Sequence, residues 1–410
     1  MAAPFPRVES FGLREIGNDR GLQLYGAALA AINVLTAIFW LTLEPIDQIL
    51  APGEPAVCWP FFQQCYAVRL LQPEAIKLIV VAILSLGILN VSWFIRGRTK
   101  AGYLGLLGIT VCKLLLIAQD YRLIHNQHYM ATFAIGTFLF VPDKRRAVPF
   151  LIVSFYFWAG ILKLNADWLS GAGLYGRRPF GMPDSLVPAA CLYVVILELV
   201  VVFGLLAKRR WILIASLFQV ALFQLASFWV VGWFYPVLMY LLLSFFLLPK
   251  AASAVTDPRP PVLGIGRPAL ILALFFAALQ WVPALYPGKS AITGEGRMFA
   301  LHMFDAPLEC RSERIVHNPD GSNTSSLIRP RFVYQRIACD PLVYFQLATA
   351  SCRAVHQEEG TDFDLRLKTR QGSGPYYSVI DIKNFCASDT SYRWWEHNAW
   401  ISTQSSDTPD

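Results

Sequence analysis

The chain has 410 residues, of which 55% are hydrophobic and only 15% charged, with a mean hydropathy of +0.44. This composition excludes a disordered protein and argues against an ordinary soluble enzyme; most of the length is expected in lipid. The formal charge of +7 lies in short Lys/Arg clusters between apolar runs, so it signals topology and points to no nucleic-acid partner.

In chain order, the first 20 residues are polar with no apolar h-region, so no cleavable signal peptide is expected. Apolar runs then mark about nine membrane helices, near 23–43, 75–95, 102–119, 128–142, 147–164, 185–207, 211–229, 230–248 and 268–286. The third and fourth are short. The fold class expected is an all-α polytopic membrane bundle over 1–287, followed by a small α+β extracytoplasmic domain over 288–410. Placing the N-terminus in the cytoplasm puts 15 of the 22 Lys and Arg residues before position 288 on that side. They include Arg7, Arg14, Arg20, RGRTK (96–100), DKRR (143–146), KRR (208–210), Lys250, Arg259 and Arg267. The opposite short loops hold chiefly Arg69, Arg122, Arg177 and Arg178. The positive-inside rule therefore sends the tail to the periplasmic or lumenal side.

Six cysteines (Cys58, Cys65, Cys310, Cys339, Cys352 and Cys386) lie in polar segments assigned to that oxidising side, and disulfides are expected among them with connectivity open. Cys112 and Cys191 lie in or beside apolar runs and read as small core residues. The tail holds 13 Lys and Arg against 15 Asp and Glu. Its turn signal NPDG (318–321) and the alternating DFDLRLKT and YYSVIDIKNF predict strands. DPLVYFQLATASCRAV predicts a helix with Asp340 as N-cap and Pro341 at its first position. Asn323-Thr324-Ser325 fits a glycosylation sequon. Residues 257–261 read as a Pro-rich linker.

Ionisable residues inside apolar segments are the first candidates for chemistry, because charge at bilayer depth is costly. Lys113, His125, His128, Lys163, Asp167 and Glu198 qualify. Asp120, Arg122, His125 and His128 share one outward loop and helix start, where a solvated rim is an equal reading. His125 and His128 are spaced for one helical face, but no third ligand of clear spacing completes a zinc site, and no metal is expected. Glu198 reads as an interhelical partner, with Lys113 as its candidate mate. Lys163 follows aromatic residues at the outward end of the fifth span. Desolvated by apolar walls, its amine would serve as a base or nucleophile; a snorkelling lysine is the bland alternative.

The segment FYFWAGILKLNADW (155–168) resembles the signature of the vitamin K-dependent γ-glutamyl carboxylase family and its bacterial HTTM-domain relatives, an aromatic-AG-x-x-KL-(D/N)-x-DW motif. HNQHYM (125–130) is similar to the family's Asn-Asn-His segment, and QWVP (280–283) with EGRMFALHMFD (295–305) to its last span and following strand. The resemblance implies that Lys163 is the base that deprotonates a reduced vitamin K or menaquinol, and that His128 is the reactive-segment histidine. It further implies Phe157, Trp158, Asn165, Trp168 and Gln127 as the quinone-binding surroundings, with oxygen and carbon dioxide as co-substrates. The outcome implied is quinol epoxidation, with or without carboxylation of a protein glutamate. The chain departs from the family in having Gln127 before the histidine, and Gln219 and Gln224 where a later helix commonly carries a histidine. Its tail is also too short to include the large lumenal region of the animal enzymes. A non-catalytic membrane partner that matures or exports another protein through its tail is therefore the second expectation, and a transporter the third. Membrane lipid and quinone are the expected contacts, with an exported protein substrate or partner bound through the C-terminal domain.

Overall fold

A computed structural model describes residues 6–174, 178–248, 266–301, 308–317, 321–333, 337–355, 362–371 and 375–403. Arg177, Lys250, Arg259, the linker at 257–261 and most of NPDG lie outside the described residues. The elements run α1 (Pro6–Gly17), α2 (Arg20–Thr42), α3 (Ile46–Ile49), α4 (Pro73–Ile95), α5 (Thr99–Ile117), α6 (Asn126–Phe140), α7 (Lys144–Leu162) and α8 (Ala166–Leu169). They continue as α9 (Val187–Leu199), α10 (Arg210–Val231), α11 (Phe234–Leu243), α12 (Arg267–Trp281) and α13 (Ser290–Thr293). The last elements are β1 (Leu308–His317), β2 (Asn323–Ser326), α14 (Pro341–Val355), β3 (Phe363–Gln371) and β4 (Tyr377–Ile382).

Among the described residues, seven helical segments are long and apolar enough to cross a membrane: α2, α4, α5, α7, α10, and the segments Asp184–Leu206 and Arg267–Leu285 that contain α9 and α12. Two of the nine expected spans are shorter. α6 has 15 residues, about 22 Å of helix, against a hydrocarbon core of about 30 Å. It starts at His125, its extended N-cap, and ends at Val141, immediately before Pro142. α11 is cut from α10 by Gly232, whose φ of 76° no helix continues through.

The chain divides into two compact units. The first comprises Met1–Leu43, Leu78–Leu114 and His125–Leu279, and holds most of the apolar helices. Charged ties fix its helix ends: Asp19 caps α2 by accepting from the Leu22 N–H and holds Arg145 through two hydrogen bonds of 2.7 Å. Glu15 accepts from the Lys144 N–H at 2.7 Å at the start of α7.

The second unit comprises Glu44–Lys77, Leu115–Ile124 and Gln280–Asp410. This differs from the single cut expected at 287/288, because two loop segments join the tail. The reason is packing: Val57 and Tyr121 belong to the same buried cluster as Leu342, Phe345, Leu365 and Ile380. Polar contacts reinforce it, with Tyr121 donating to Asp340 at 3.2 Å and Gln63 to the Tyr392 carbonyl at 3.0 Å. The sheet is antiparallel with order β2-β1-β3-β4. β3 buries Phe363, Leu365 and Leu367 on alternate positions, the expected period of two. Asp340 accepts from the Leu342 N–H at 3.0 Å and starts α14 as expected. All six extramembrane cysteines are bridged, as Cys58–Cys65, Cys310–Cys339 and Cys352–Cys386, leaving Cys112 and Cys191 free. Cys191 is buried as expected, whereas Cys112 is exposed on its apolar helix.

Candidate functional site

The end of α7 is shaped by Asn165. Its side-chain oxygen accepts from the Trp168 N–H at 2.8 Å and its amide donates to the Leu162 carbonyl at 2.8 Å. One side chain thereby closes α7 and opens α8, holding Lys163 at the C-cap with a fixed backbone. The Trp168 indole donates to the Cys191 carbonyl at 3.0 Å, which ties α8 to α9.

Lys163 is fully buried. Its Nζ donates to both carboxylate oxygens of Glu198, at 2.7 and 2.6 Å, and lies 5.3 Å from the Trp168 ring centroid. A longer contact of 3.4 Å runs to the Ala159 carbonyl. Gly160 makes the approach possible: a Cβ there would stand 2.8 Å from the Leu199 side chain and 3.0 Å from the Glu198 Cβ. Glu198 is thus an interhelical ion-pair partner as expected, but its mate is Lys163. The expected mate, Lys113, donates instead to Asn33 Oδ1 at 3.1 Å.

This corrects the picture of a lysine between purely apolar walls. The pair is neutral as a whole, and transfer of a proton from the ammonium to the carboxylate leaves it neutral. A buried pair of this kind holds a proton at either of two atoms without changing the net charge of the bundle. Glu198 was visible in the sequence only as a lone acid in an apolar run, with nothing to indicate its register against Lys163.

His128 occupies the first turn of α6 and is buried. Its ring packs against Trp40 and His125, each at 5.5 Å between centroids, and against Phe234 at 6.0 Å. Phe39 stacks on Phe234 at 4.5 Å. Among the described residues neither nitrogen of His128 has a hydrogen-bond partner, an uncommon state for a buried polar ring. Gln127 beside it is buried as well.

The sequence-selected residues therefore gather in two groups. Lys163, Asn165 and Trp168 stand together with Glu198, and His128 stands with His125, Trp40 and Phe234. Phe157 and Trp158 are half-buried and meet each other edge to face at 5.6 Å; Phe157 also contacts Phe203 at 5.8 Å. Asp167 is half-buried on α8. Gln224 is buried and donates to the Tyr156 hydroxyl at 2.8 Å, whereas Gln219 accepts from Tyr193 on the exposed face.

Asp120 and Arg122 do not form a solvated rim. Both are buried in the second unit, where Asp120 takes hydrogen bonds from Arg69, from Arg122 and from the Val57 N–H. Arg122 also donates to Glu54 at 3.0 Å and to the carbonyls of Ile49 and Pro55. These groups satisfy one another, which reads as a structural network. Among the described residues no cluster of three His, Cys, Asp or Glu side chains forms around His125 and His128 or elsewhere. No family model, curated protein or solved structure matches this chain.

Proposed function

We propose that the chain is a multi-pass membrane protein that binds a reduced quinone, vitamin K or menaquinol, and acts on it in the manner of the carboxylase family. In this reading α6 and α11 cross with the seven longer helices, the N-terminus is cytoplasmic, and the second unit faces the periplasm or lumen. The clustering of Lys and Arg on one side of the spans and of cystines on the other supports that orientation.

The observation that carries the proposal is the buried Lys163–Glu198 pair in the one segment with a sharp resemblance. Lys163 is the proton acceptor in its neutral form, and Glu198 relieves it of the proton it already holds. After the quinol's proton arrives the pair carries one positive charge, which the anion left by the deprotonated quinol would balance. Trp168 and Asn165 fix the geometry of Lys163, and water is kept out by its complete burial. A quinol fits His128 on the chain's own terms: the ring's unpaired nitrogens match a hydroxyl or carbonyl, and Trp40, Phe39 and Phe234 offer flat apolar walls. Once bound, the quinol supplies the electrons for reaction with oxygen and the strong base that removes a glutamate γ-proton before carbon dioxide adds.

A second reading rests on the same pair. Two short hydrogen bonds to Glu198 are also what a purely structural tie between α7 and α9 needs, as in a membrane partner for another protein. Extraction of a quinone from the purified protein, followed by a quinol-oxidation assay on the parent and on Lys163→Arg, separates the two. No quinone, and no oxidation by the parent, would leave the structural tie.

A further inference from the structure

The hairpin between α4 and α5 gathers cations without acids. Between Glu74 and Asp120 the chain carries no Asp or Glu, yet Arg96, Arg98 and Lys100 stand within five residues of one another. The corner is tightly built. Gly97 turns it with a φ of 71°, and the Arg98 N–H donates to the Trp93 carbonyl at 2.8 Å. Asn90 on α4 donates to the Gly102 carbonyl on α5 at 3.1 Å. Arg20 adds a fourth cation by donating to the Ile95 carbonyl at 2.7 Å, while the neighbouring Asp19 spends its carboxylate on Arg145. Arg96, Arg98 and Lys100 are exposed, and among the described residues none of them pairs with a carboxylate. Like charges held this close repel one another, so an anion brought among them is favoured.

Two of these cations border a groove. Arg98, Thr99, Lys100, Ala101 and Leu104 line an open cavity of about 520 Å³, within the roughly 300–1,000 Å³ range of ligand sites. Lys100 and Leu104 are four residues apart and share one face of α5. The lining therefore passes from ammonium to hydrocarbon within one turn, about 5.4 Å of helix. Leu104 is 50% exposed on a helix long and apolar enough to cross a membrane. A ligand that satisfies both ends carries a negative charge directly above an apolar chain. Free phosphate would leave Leu104 uncovered, and a zwitterionic lipid would bring its own cation towards Arg98.

We propose that this groove holds one anionic phospholipid, its phosphate between Arg98 and Lys100 and the first methylenes of an acyl chain along Ala101 and Leu104. The site rests on α5 lying in a membrane and is independent of the quinol reading.

The test titrates the full chain in neutral detergent with short-chain phosphatidylglycerol and counts bound lipid by native mass spectrometry. Phosphatidylcholine of the same chain length and glycerol 3-phosphate are the comparators. One saturable phosphatidylglycerol per chain is expected, at least about tenfold tighter than phosphatidylcholine, with glycerol 3-phosphate not retained. Arg98→Gln/Lys100→Gln should weaken phosphatidylglycerol at least about tenfold. Lys208→Gln/Arg209→Gln removes the same charge elsewhere in the first unit and should leave the affinity unchanged. Should the first double variant fail to fold, Leu104→Ala, which keeps every charge, should weaken the lipid severalfold. Equal binding of phosphatidylcholine overturns the proposal, and so does glycerol 3-phosphate displacing the lipid at similar concentration, which would mark a free-phosphate site. Equal losses in the two charge variants, or unchanged affinity in Leu104→Ala, would reduce the groove to a general attraction of basic surface and also overturn it.

Discussion

Lys163 and Glu198 meet through two hydrogen bonds of 2.7 and 2.6 Å at the point where Gly160 brings α7 and α9 into contact. Each group supplies the other with a counter-charge in a deeply buried place. Glu198→Gln removes one charge and strands the other. Breaking a buried pair from one side costs roughly 3–5 kcal/mol, whereas replacing both members by apolar residues is often near neutral. Glu198→Gln should therefore lower the thermal unfolding temperature in detergent more than the double variant Lys163→Met/Glu198→Leu does. Additive losses in the double variant would mean that the two side chains are not coupled.

The same pair gives the sharper functional test. Lys163→Arg preserves charge and hydrogen bonding to Glu198, so a structural tie should survive it. Arginine does not give up its proton to become a base. If Lys163 is the proton acceptor, quinol oxidation should drop by about 10²–10⁴-fold, the usual contribution of a general base, while expression and insertion stay intact. Parental rates in the arginine variant would end the base assignment.

Lys163 and Glu198 also mark where the sequence stopped being informative. The cost of charge in lipid singles out both residues without any structure, and the resemblance of 155–168 adds Asn165 and Trp168 beside one of them. Their pairing depends on the register of α7 against α9, set by a close approach at Gly160 that no periodicity encodes. The second unit was legible in its parts for similar reasons. The alternation in β3 and β4 and the Asp340-Pro341 start of α14 are local patterns. The recruitment of Val57 and Tyr121 into its core is a tertiary event between segments far apart in the chain. Among the described residues seven helices long and apolar enough to span a membrane follow from composition, and the run 128–142 has the length of α6. The run 230–248 instead continues through Gly232, before which α10 ends and after which α11 starts at Phe234.

Thiol chemistry tests the orientation and the disulfides together. Impermeant maleimide on intact cells should label none of the six bridged cysteines before reduction and label them from outside after it. Labelling that requires access from the cytoplasm would reverse the topology.

His317 gives the second unit a pH dependence of defined sign. Its Nε2 is bonded to Asp364 at 3.0 Å and its Nδ1 to Asn323 at 2.9 Å. The hydrogen bond to Asp364, then that to Asn323, raises its pKa above the ordinary histidine value of about 6.5. A group whose folded value is raised stabilises fully below the unfolded value and ceases to do so as pH climbs through the folded one. Unfolding of the sheet should thus become easier as pH rises above about 6.5, to an extent softened by solvent around this exposed ring. His317→Gln should flatten that part of the profile. An unchanged profile in the variant would assign the dependence to another group.

Removal of the tail after residue 287 tests the division into units. The long helices satisfy their backbone polar groups internally and should persist, seen as retained helical circular dichroism per residue in detergent. The loop segments are different. Residues 44–77 and 115–124 would lose Leu342, Phe345, Leu365 and Ile380, which pack in the same cluster as Val57 and Tyr121. Tyr121 would lose Asp340, Gln63 the Tyr392 carbonyl, and Arg122 the Arg331 carbonyl. The Asp120–Arg69 and Arg122–Glu54 pairs, with the Cys58–Cys65 bridge, would remain but without the apolar cover of the tail. Limited proteolysis should accordingly cut the truncated protein within 44–77 while sparing that segment in the full chain. Continued protection would show that the loop folds without the tail. Collapse of the helical signal would show that the bundle itself requires the second unit.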